Sequence, residues 1–313
     1  MRKEHAQLPK VIILLGPTAS GKTWLGLRLA KKFNGEIISA DSRQIYKKMT
    51  IGTAKPVGEW KWNGLRKTYF VDGIAHHLVD FVDPGKTFTV AEFRDKAIKY
   101  IKMIHSAGRV PIVVGGTGLY IQALVDNLQI PRVPASKKLR KSFEDKTLGE
   151  LLAWLGNLDP DAVASVDVKN KRRIIRALEV CIMSGEKFSA QREKGHRLFD
   201  FLQVGIHIPR EELYARIHHR IDEMIGRGLL DEVADLVRQK YSWELPSMSG
   251  IGYRQFRQVI ETGIGLEQAI EQFKRDTRHY AKRQMTWFKR DNTIQWFVDE
   301  DDMMKVVEEF LHV

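Results

Sequence analysis

One cysteine, Cys181, in a chain of 313 residues excludes a disulfide within the chain. Its setting in RALEVCIM (176–183) marks an inert core thiol on a helix, as expected of a protein from a reducing compartment. No apolar run is long enough to cross a bilayer, and MRKEHAQLPK lacks the apolar stretch of a signal peptide, so a cytoplasmic location without a membrane partner is expected. Metal-ligand spacing is missing too. There is no H-E-x-x-H, and the pairs His76-His77 and His218-His219 are adjacent residues whose side chains diverge on any regular element. Internal repeats and low-complexity tracts are absent. Negative charge is the scarcer sign. The 39 acidic residues against 51 basic ones leave a net charge of +12 and a pI near 9.6, a balance suited to a polyanionic partner. With 43% hydrophobic residues the chain can fill the core of one elaborated domain or two modest ones.

What is present begins at residues 11–23, VIILLGPTASGKT. An apolar run leads into Gly16-Pro17-Thr18-Ala19-Ser20-Gly21-Lys22-Thr23, which satisfies G-x-x-x-x-G-K-[ST], and WLGLRLAKKF continues at helical spacing. Strand, glycine-rich loop and helix are the context of a phosphate-binding P-loop, a motif that commonly binds ATP. Backbone N–H groups and the positive end of the helix face the polyphosphate. Lys22 supplies a point charge, and the Thr23 hydroxyl can hold Mg²⁺.

The P-loop fixes what is bound but not the reaction. P-loop NTPases usually carry an aspartate after a later buried strand to help hold Mg²⁺. Here RVPIVVGGTGLY (109–120) ends in Gly115-Gly116-Thr117 with no carboxylate. An acid follows the second strand instead: in GEIISADSRQIY (35–46), Asp41 stands at the carboxyl end of EIIS. Ligands of open α/β sheets bind beyond those strand ends, so Asp41 and Thr117 can converge with the P-loop on one pocket. On the residues alone, Asp41 serves equally well as the cap of the turn that follows it.

Strands are expected at 11–15, 36–39, 78–82, 110–114 and 202–208, with helices at 22–33, 89–107 and 117–126 between them. Thr89 and Glu92 form a capping box at the head of the second helix, and Gly108 follows its end. Apolar strands alternating with helices give an α/β fold, a P-loop NTPase-like parallel sheet covered by helices. The Pro-broken basic stretch PRVPASKK (131–138) opens an inserted helical lobe at 127–197. Residues 1–126 and 198–313 then form the core, with helices at 211–226, 229–240 and 266–290.

The last of these helices carries Lys274, Arg275, Arg278, Lys282, Arg283, Lys289 and Arg290, interleaved with Tyr280, Trp287 and Phe288. Such a face can bind RNA phosphates and stack bases, or be solvated on one side and packed on the other. In LYARIHHRIDEM, Arg216 and Arg220 lie one turn apart, free either to pair with Glu212, Asp222 or Glu223 or to bind an anion.

GPTASGKT, DSRQIY, IGTAKP (51–56), HHLVDFVDP (76–84), GGTGLY (115–120), RALEV (176–180), GIGYRQ (250–255) and AKRQMTWFKR (281–290) occur in this order. Together they resemble the tRNA dimethylallyltransferase family, from the P-loop to about Arg290. The resemblance implies transfer of a dimethylallyl group from dimethylallyl diphosphate to N6 of the adenosine 3′ of the anticodon, with Mg²⁺ as cofactor. It implies a monomer acting on the anticodon stem-loop. Asp41 would be the general base, Thr117 its neighbour orienting the amine, and Arg220 a ligand of the diphosphate. Ser42, Arg43 and Gln44 would read or wedge the flipped base, Gln44 more firmly than Arg43. Further tRNA contacts are implied for Arg140, for Arg172, Arg173, Ile174, Ile175 and Arg176, for Gly252, Tyr253 and Arg254, and for Lys282, Arg283 and Gln284. Between Pro56 and His76 the chain has material extra to the family pattern, rich in Trp and Lys.

Rival functions are an adenylate isopentenyltransferase making free cytokinin, a P-loop small-molecule kinase, and a non-catalytic RNA-binding module. The helical lobe and basic helix favour RNA over a free nucleotide. Retention of the Asp, Thr and Lys together favours catalysis.

Overall fold

A computed structural model describes residues 8–64, 66–190 and 194–312. They form two compact units, one made of the residues up to Ile121 and from Leu198 onward, the other of Gln122–Arg197. The expectation that the N-terminus lacks a signal peptide concerns residues 1–7, outside the described residues.

The chain runs β1 (Lys10–Leu15), α1 (Lys22–Lys32), β2 (Gly35–Ala40), β3 (Glu59–Asn63), β4 (Arg66–Val71), β5 (Ile74–His77), α2 (Val90–Ser106), β6 (Val110–Gly115) and α3 (Gly118–Val125). The second unit contributes α4 (Lys137–Ser142), α5 (Leu148–Leu158), α6 (Pro160–Ser165) and α7 (Lys171–Ser184). Then follow β7 (Asp200–Ile206), α8 (Arg210–Gly226), α9 (Leu229–Arg238), α10 (Arg257–Thr262), α11 (Leu266–Phe288), β8 (Gln295–Phe297) and α12 (Glu300–His312).

In the first unit, eight strands form one sheet in the order β3-β4-β5-β2-β6-β1-β7-β8. All neighbours from β5 to β8 are parallel, and β3 and β4 add an antiparallel edge. The continuous apolar runs of β1 and β6 are buried, as strands covered on both faces must be. Leu15, Ala40, Gly115 and Gly205 lie level with one another. The P-loop, Asp41 and Gly116-Thr117 therefore leave the sheet side by side at its carboxyl end.

On one face Leu25 and Leu29 of α1 and Met303, Met304 and Val307 of α12 pack on Ile12, Leu14, Ile112 and Val204. A separate core joins Ile217, Ile221 and Met224 of α8 to Leu229, Val233, Tyr253, Phe256 and Phe273. The capping box of α2 is formed: Thr89 accepts the Glu92 N–H and Glu92 accepts that of Thr89. The second unit has its own core of Phe143, Leu151, Leu155, Ile174, Leu178 and Cys181.

One expectation is corrected. Residues 78–82 are not a strand. Leu78 and Asp80 have positive φ, only the bridge between Tyr46 and Val82 is sheet-like, and the strand is β5 just before them. Asp80 turns aside to take the ammonium of Lys55. The extra Trp/Lys segment holds the β3–β4 hairpin. Helix α12 and strand β8 were not anticipated.

Candidate active site

Gly21 caps α1 with φ of 84°, a left-handed conformation that a Cβ would disfavour, and this turns the loop amides toward the sheet end. Side chains from elsewhere hold the loop in place. Gln284 of α11 accepts the Thr18 N–H at 2.8 Å and donates to the Gly116 carbonyl at 2.8 Å, bolting the P-loop to the end of β6. Arg220 of α8 donates to the Thr18 hydroxyl. Its Nε is buried with no hydrogen-bond partner. Arg216, one turn earlier, is exposed and pairs with Glu212 at 2.6 Å, so the two arginines of that helix divide the surface and anion-facing roles between them.

Lys22 donates to the Pro17 carbonyl and sits near Arg220. Burial, then the neighbouring Arg220, lowers its pKa to about 7 against the opposing pull of Asp41. Burial lowers Arg220 as well, again opposed by Asp41. Two cations held together with their pKa values depressed make a pocket that favours an anion.

Asp41 Oδ1 accepts the N–H of Arg43 at 2.8 Å and of Gln44 at 3.3 Å. The turn-capping reading is therefore realised in one oxygen, while Oδ2 has no hydrogen-bond partner among the described residues. Thr117 accepts the Ser42 N–H at 3.0 Å and lies 3.4 Å from the Ser42 hydroxyl, beside Asp41 rather than on its carboxylate. Tyr280, which the sequence reading missed, stands by Asp41 and Thr117, with its phenol pushed up by burial and then by the Asp41 charge.

Asp41, Ser42, Arg43, Thr18 and Arg220 line one cavity of about 300 Å³, with Ile221, Met224 and Phe273 as apolar wall and Arg254 and Arg283 at its margin. Arg254 pairs with Asp276 at 2.8 Å, and Arg283 lies over the Tyr280 ring at 5.9 Å. Lys282 is exposed.

Four of the residues expected at the RNA are engaged within the protein. The Gln284 amide is buried and spent on the P-loop and Gly116. Gln44 donates to the Thr53 and Ala54 carbonyls at 3.4 and 3.1 Å, holding the turn that lines the cavity, while Arg43 reaches into the cavity itself. Tyr253 is buried with its hydroxyl on Glu232 at 2.7 Å, and Glu232 also accepts the N–H groups of Thr50, Ile51 and Gly52. Gly252, with φ of 94°, is packed against the Gly52 carbonyl and Phe273, where a turn without a side chain is required.

In the second unit, Ile174 is fully buried and cannot touch RNA through its side chain, whereas Ile175 is partly exposed. Arg140 forks onto the buried Glu179 at 2.7 and 2.9 Å, and Arg176 reaches Glu179 and the Val133 carbonyl. Burial pushes Glu179 up, but these arginines and the Ser136 N–H outweigh it and hold the carboxyl below its usual range. Arg172 and Arg173 are exposed.

Thr23 is exposed on the first turn of α1 and free to ligate a cation. Among the described residues no cluster of three or more His, Cys, Asp or Glu suits a metal ion. A single hydroxyl ligand fits Mg²⁺, which keeps several waters and binds through substrate phosphates. No helix among the described residues is long and apolar enough to cross a membrane.

The family model described as IPP transferase matches residues 44–291. A tRNA dimethylallyltransferase of Chloroflexus aggregans is 43% identical over 95% of this chain and 99% of its own. One of Acetivibrio thermocellus is 41% identical over 94% and 93%. The crystal structure of a tRNA isopentenylpyrophosphate transferase from Staphylococcus epidermidis superposes with a TM-score of 0.66 at 36% identity, covering 96% of this chain and 99% of that one. A eukaryotic dimethylallyltransferase acting on tRNA gives a TM-score of 0.72 at 31% identity, covering 90% of this chain and 70% of that one.

Proposed function

The chain belongs to the IPP transferase family, and from that premise we propose that it transfers the dimethylallyl group of dimethylallyl diphosphate to N6 of the adenosine 3′ of the anticodon in tRNA. It is a prenyltransferase that modifies tRNA. The observation that carries the atomic reading is the Asp41 carboxylate, with one oxygen fixed by backbone N–H groups and the other free, in the same cavity as Arg220 and the P-loop Thr18.

The adenine amine is a weak nucleophile because its lone pair is delocalised into the ring. The N6–C1 bond forms as the allylic C1–O bond breaks, and the N6 proton passes to Asp41 Oδ2. A base so placed contributes roughly 10²–10⁴-fold. Thr117, through Ser42, keeps the Asp41 turn in position. The P-loop amides, Lys22 and Arg220 meet the charge that grows on the departing diphosphate. Mg²⁺, held by the Thr23 hydroxyl and diphosphate oxygens, would neutralise part of that charge when bound. Ile221, Met224 and Phe273 offer the five-carbon group an apolar wall.

The adenosine must leave its stack, which costs a few kcal/mol. Arg43, Arg254 and Arg283 at the cavity and the exposed Lys282, Arg172 and Arg173 are the side chains for the RNA backbone. The proposed form is a monomer acting in the cytoplasm. Purified protein incubated with dimethylallyl diphosphate, Mg²⁺ and unmodified tRNA should yield N6-dimethylallyladenosine on nucleoside analysis. Absence of that nucleoside, or phosphorylated product from ATP, would sink the proposal.

A further inference from the structure

The β3–β4 hairpin exposes two tryptophans, Trp60 at 41% and Trp62 at 70%. Alternation along the strand puts both on one face, opposite Tyr69 and Lys67 of β4. The Lys67 ammonium lies 5.5 Å from the centre of the Trp62 ring. Lys67 pairs with no carboxylate among the described residues, whereas on the other face Lys61 is neutralised by Glu59, and Arg66, level with Asn63, lies 3.3 Å from the Met103 sulfur. Aromatic surface beside an unneutralised cation is the pairing that binds unpaired nucleotides: any base stacks on an indole face, and its phosphate meets the cation.

The hairpin is held rigidly to the segment that carries Asp41. Trp60 Nε1 donates to Asp80 at 3.1 Å, Asp80 takes Lys55 at 2.5 Å, and the Asp80 N–H donates to the Gln44 carbonyl at 2.9 Å. The Tyr69 hydroxyl donates to the Pro56 carbonyl at 2.8 Å. Register carries the placement across the sheet, since Trp60 faces Tyr69, Tyr69 faces His76, and His76 faces Ile37. Strand β3 runs parallel to β2, so Trp62 is level with Ser39 and the hairpin turn lies at the carboxyl end where Asp41 begins. Three strand spacings of about 4.8 Å set the turn about 14 Å to the side of Asp41. Nucleotides near the one entering the cavity can reach that far.

We infer that this hairpin is an RNA-contacting arm, in which Trp62 stacks an unpaired nucleotide of the substrate that presents its adenosine to Asp41, while Lys67 holds a neighbouring phosphate. The inference rests on the reading that RNA is the substrate. A protein partner or a second copy of the chain would also cover the tryptophans, but neither would call for a free cation beside them.

The test compares the wild type with Trp62→Ala and with Lys67→Ala, using a short anticodon stem-loop as substrate. Each variant should raise KM for the stem-loop at least about fivefold, the low end of what one lost base stack contributes. The kcat, the KM for dimethylallyl diphosphate and the unfolding midpoint should stay as in the wild type. Trp62→Phe, which keeps an aromatic face, should recover most of the loss, and Lys67→Ala should show a shallower salt dependence. If the wild type prenylates the stem-loop and both variants keep its KM, the hairpin inference falls alone. If the wild type does not prenylate the stem-loop, the RNA reading falls with it.

Discussion

Binding of diphosphate should draw a proton from solution, because Lys22 has a pKa of about 7 in the free protein. Burial and Arg220 lower it, and a bound diphosphate reverses the balance by placing several negative charges against the ammonium. The sign is fixed by that order. Below neutral pH Lys22 is already charged and binding takes up no proton, while above it Lys22 is mostly neutral and must be protonated to engage the anion. Raising the pH from about 6 to about 8.5 moves 1.5 units past the pKa. At about 1.4 kcal/mol per unit this weakens binding by about 2 kcal/mol, close to thirtyfold. Calorimetric titration of inorganic diphosphate in buffers of different ionisation enthalpy reads the proton directly. Near pH 8.5 the uptake should approach one proton per diphosphate, and Lys22→Met should abolish it. Asp41→Asn supplies a second check. It removes a carboxylate that raises the Lys22 pKa, so the midpoint of proton uptake should move to lower pH. No uptake in the wild type near pH 8.5 would refute the reasoning, since Lys22 would then be charged before the anion arrives.

Asp41→Asn should lower kcat by at least about two orders of magnitude while tRNA still binds within several-fold, as measured by single-turnover kinetics and filter binding. Gln284→Ala should leave the buried Thr18 N–H and Gly116 carbonyl without partners, at roughly 1–3 kcal/mol each, lowering the unfolding midpoint and raising KM for dimethylallyl diphosphate more than KM for tRNA. Lys282→Ala with Arg283→Ala should raise KM for tRNA and flatten the dependence of log K on log salt, with KM for dimethylallyl diphosphate unchanged. AMP should be a far poorer acceptor than the anticodon stem-loop, and equal efficiency would move the assignment to a free-nucleotide prenyltransferase.

Where sequence speaks through the backbone, it was legible. The P-loop demands a glycine at position 21 and an apolar strand before it, and both are local. The capping box of α2 is local as well. The β3–β4 hairpin was not read, nor was the β4–β5 turn after it, although Asp72-Gly73 has both residues at positive φ, one of the clearest turn signals a chain can carry. The exposed tryptophans hid it, since aromatic residues in a strand are normally taken as buried. Tyr280 and Glu232 were illegible for a different reason: nothing near either in sequence says that Tyr280 meets Asp41 or that Glu232 holds the backbone of residues 50–52.

The internal engagements of these residues share one physical cause. Gln44, Gln284 and Tyr253 look like groups for reading a base, but each is engaged with the protein itself. An amide both donates and accepts, so it can join two backbone segments whose N–H and C=O groups lack secondary-structure partners. Loops gathered at the end of a sheet have many such groups, and leaving them bare would cost more than a base contact returns. A guanidinium or ammonium on a long stem donates only, and solvent readily satisfies it. The flexible cations are therefore the side chains still available to RNA. Arg43, whose guanidinium among the described residues bonds only the Pro246 carbonyl, stands closer to that role than Gln44 beside it. Arg43→Ala should accordingly raise KM for the stem-loop, whereas Gln44→Ala should loosen the Thr53–Ala54 turn and lower the unfolding midpoint. The reverse pattern in kinetics and thermal melts would restore Gln44 as the reader of the base.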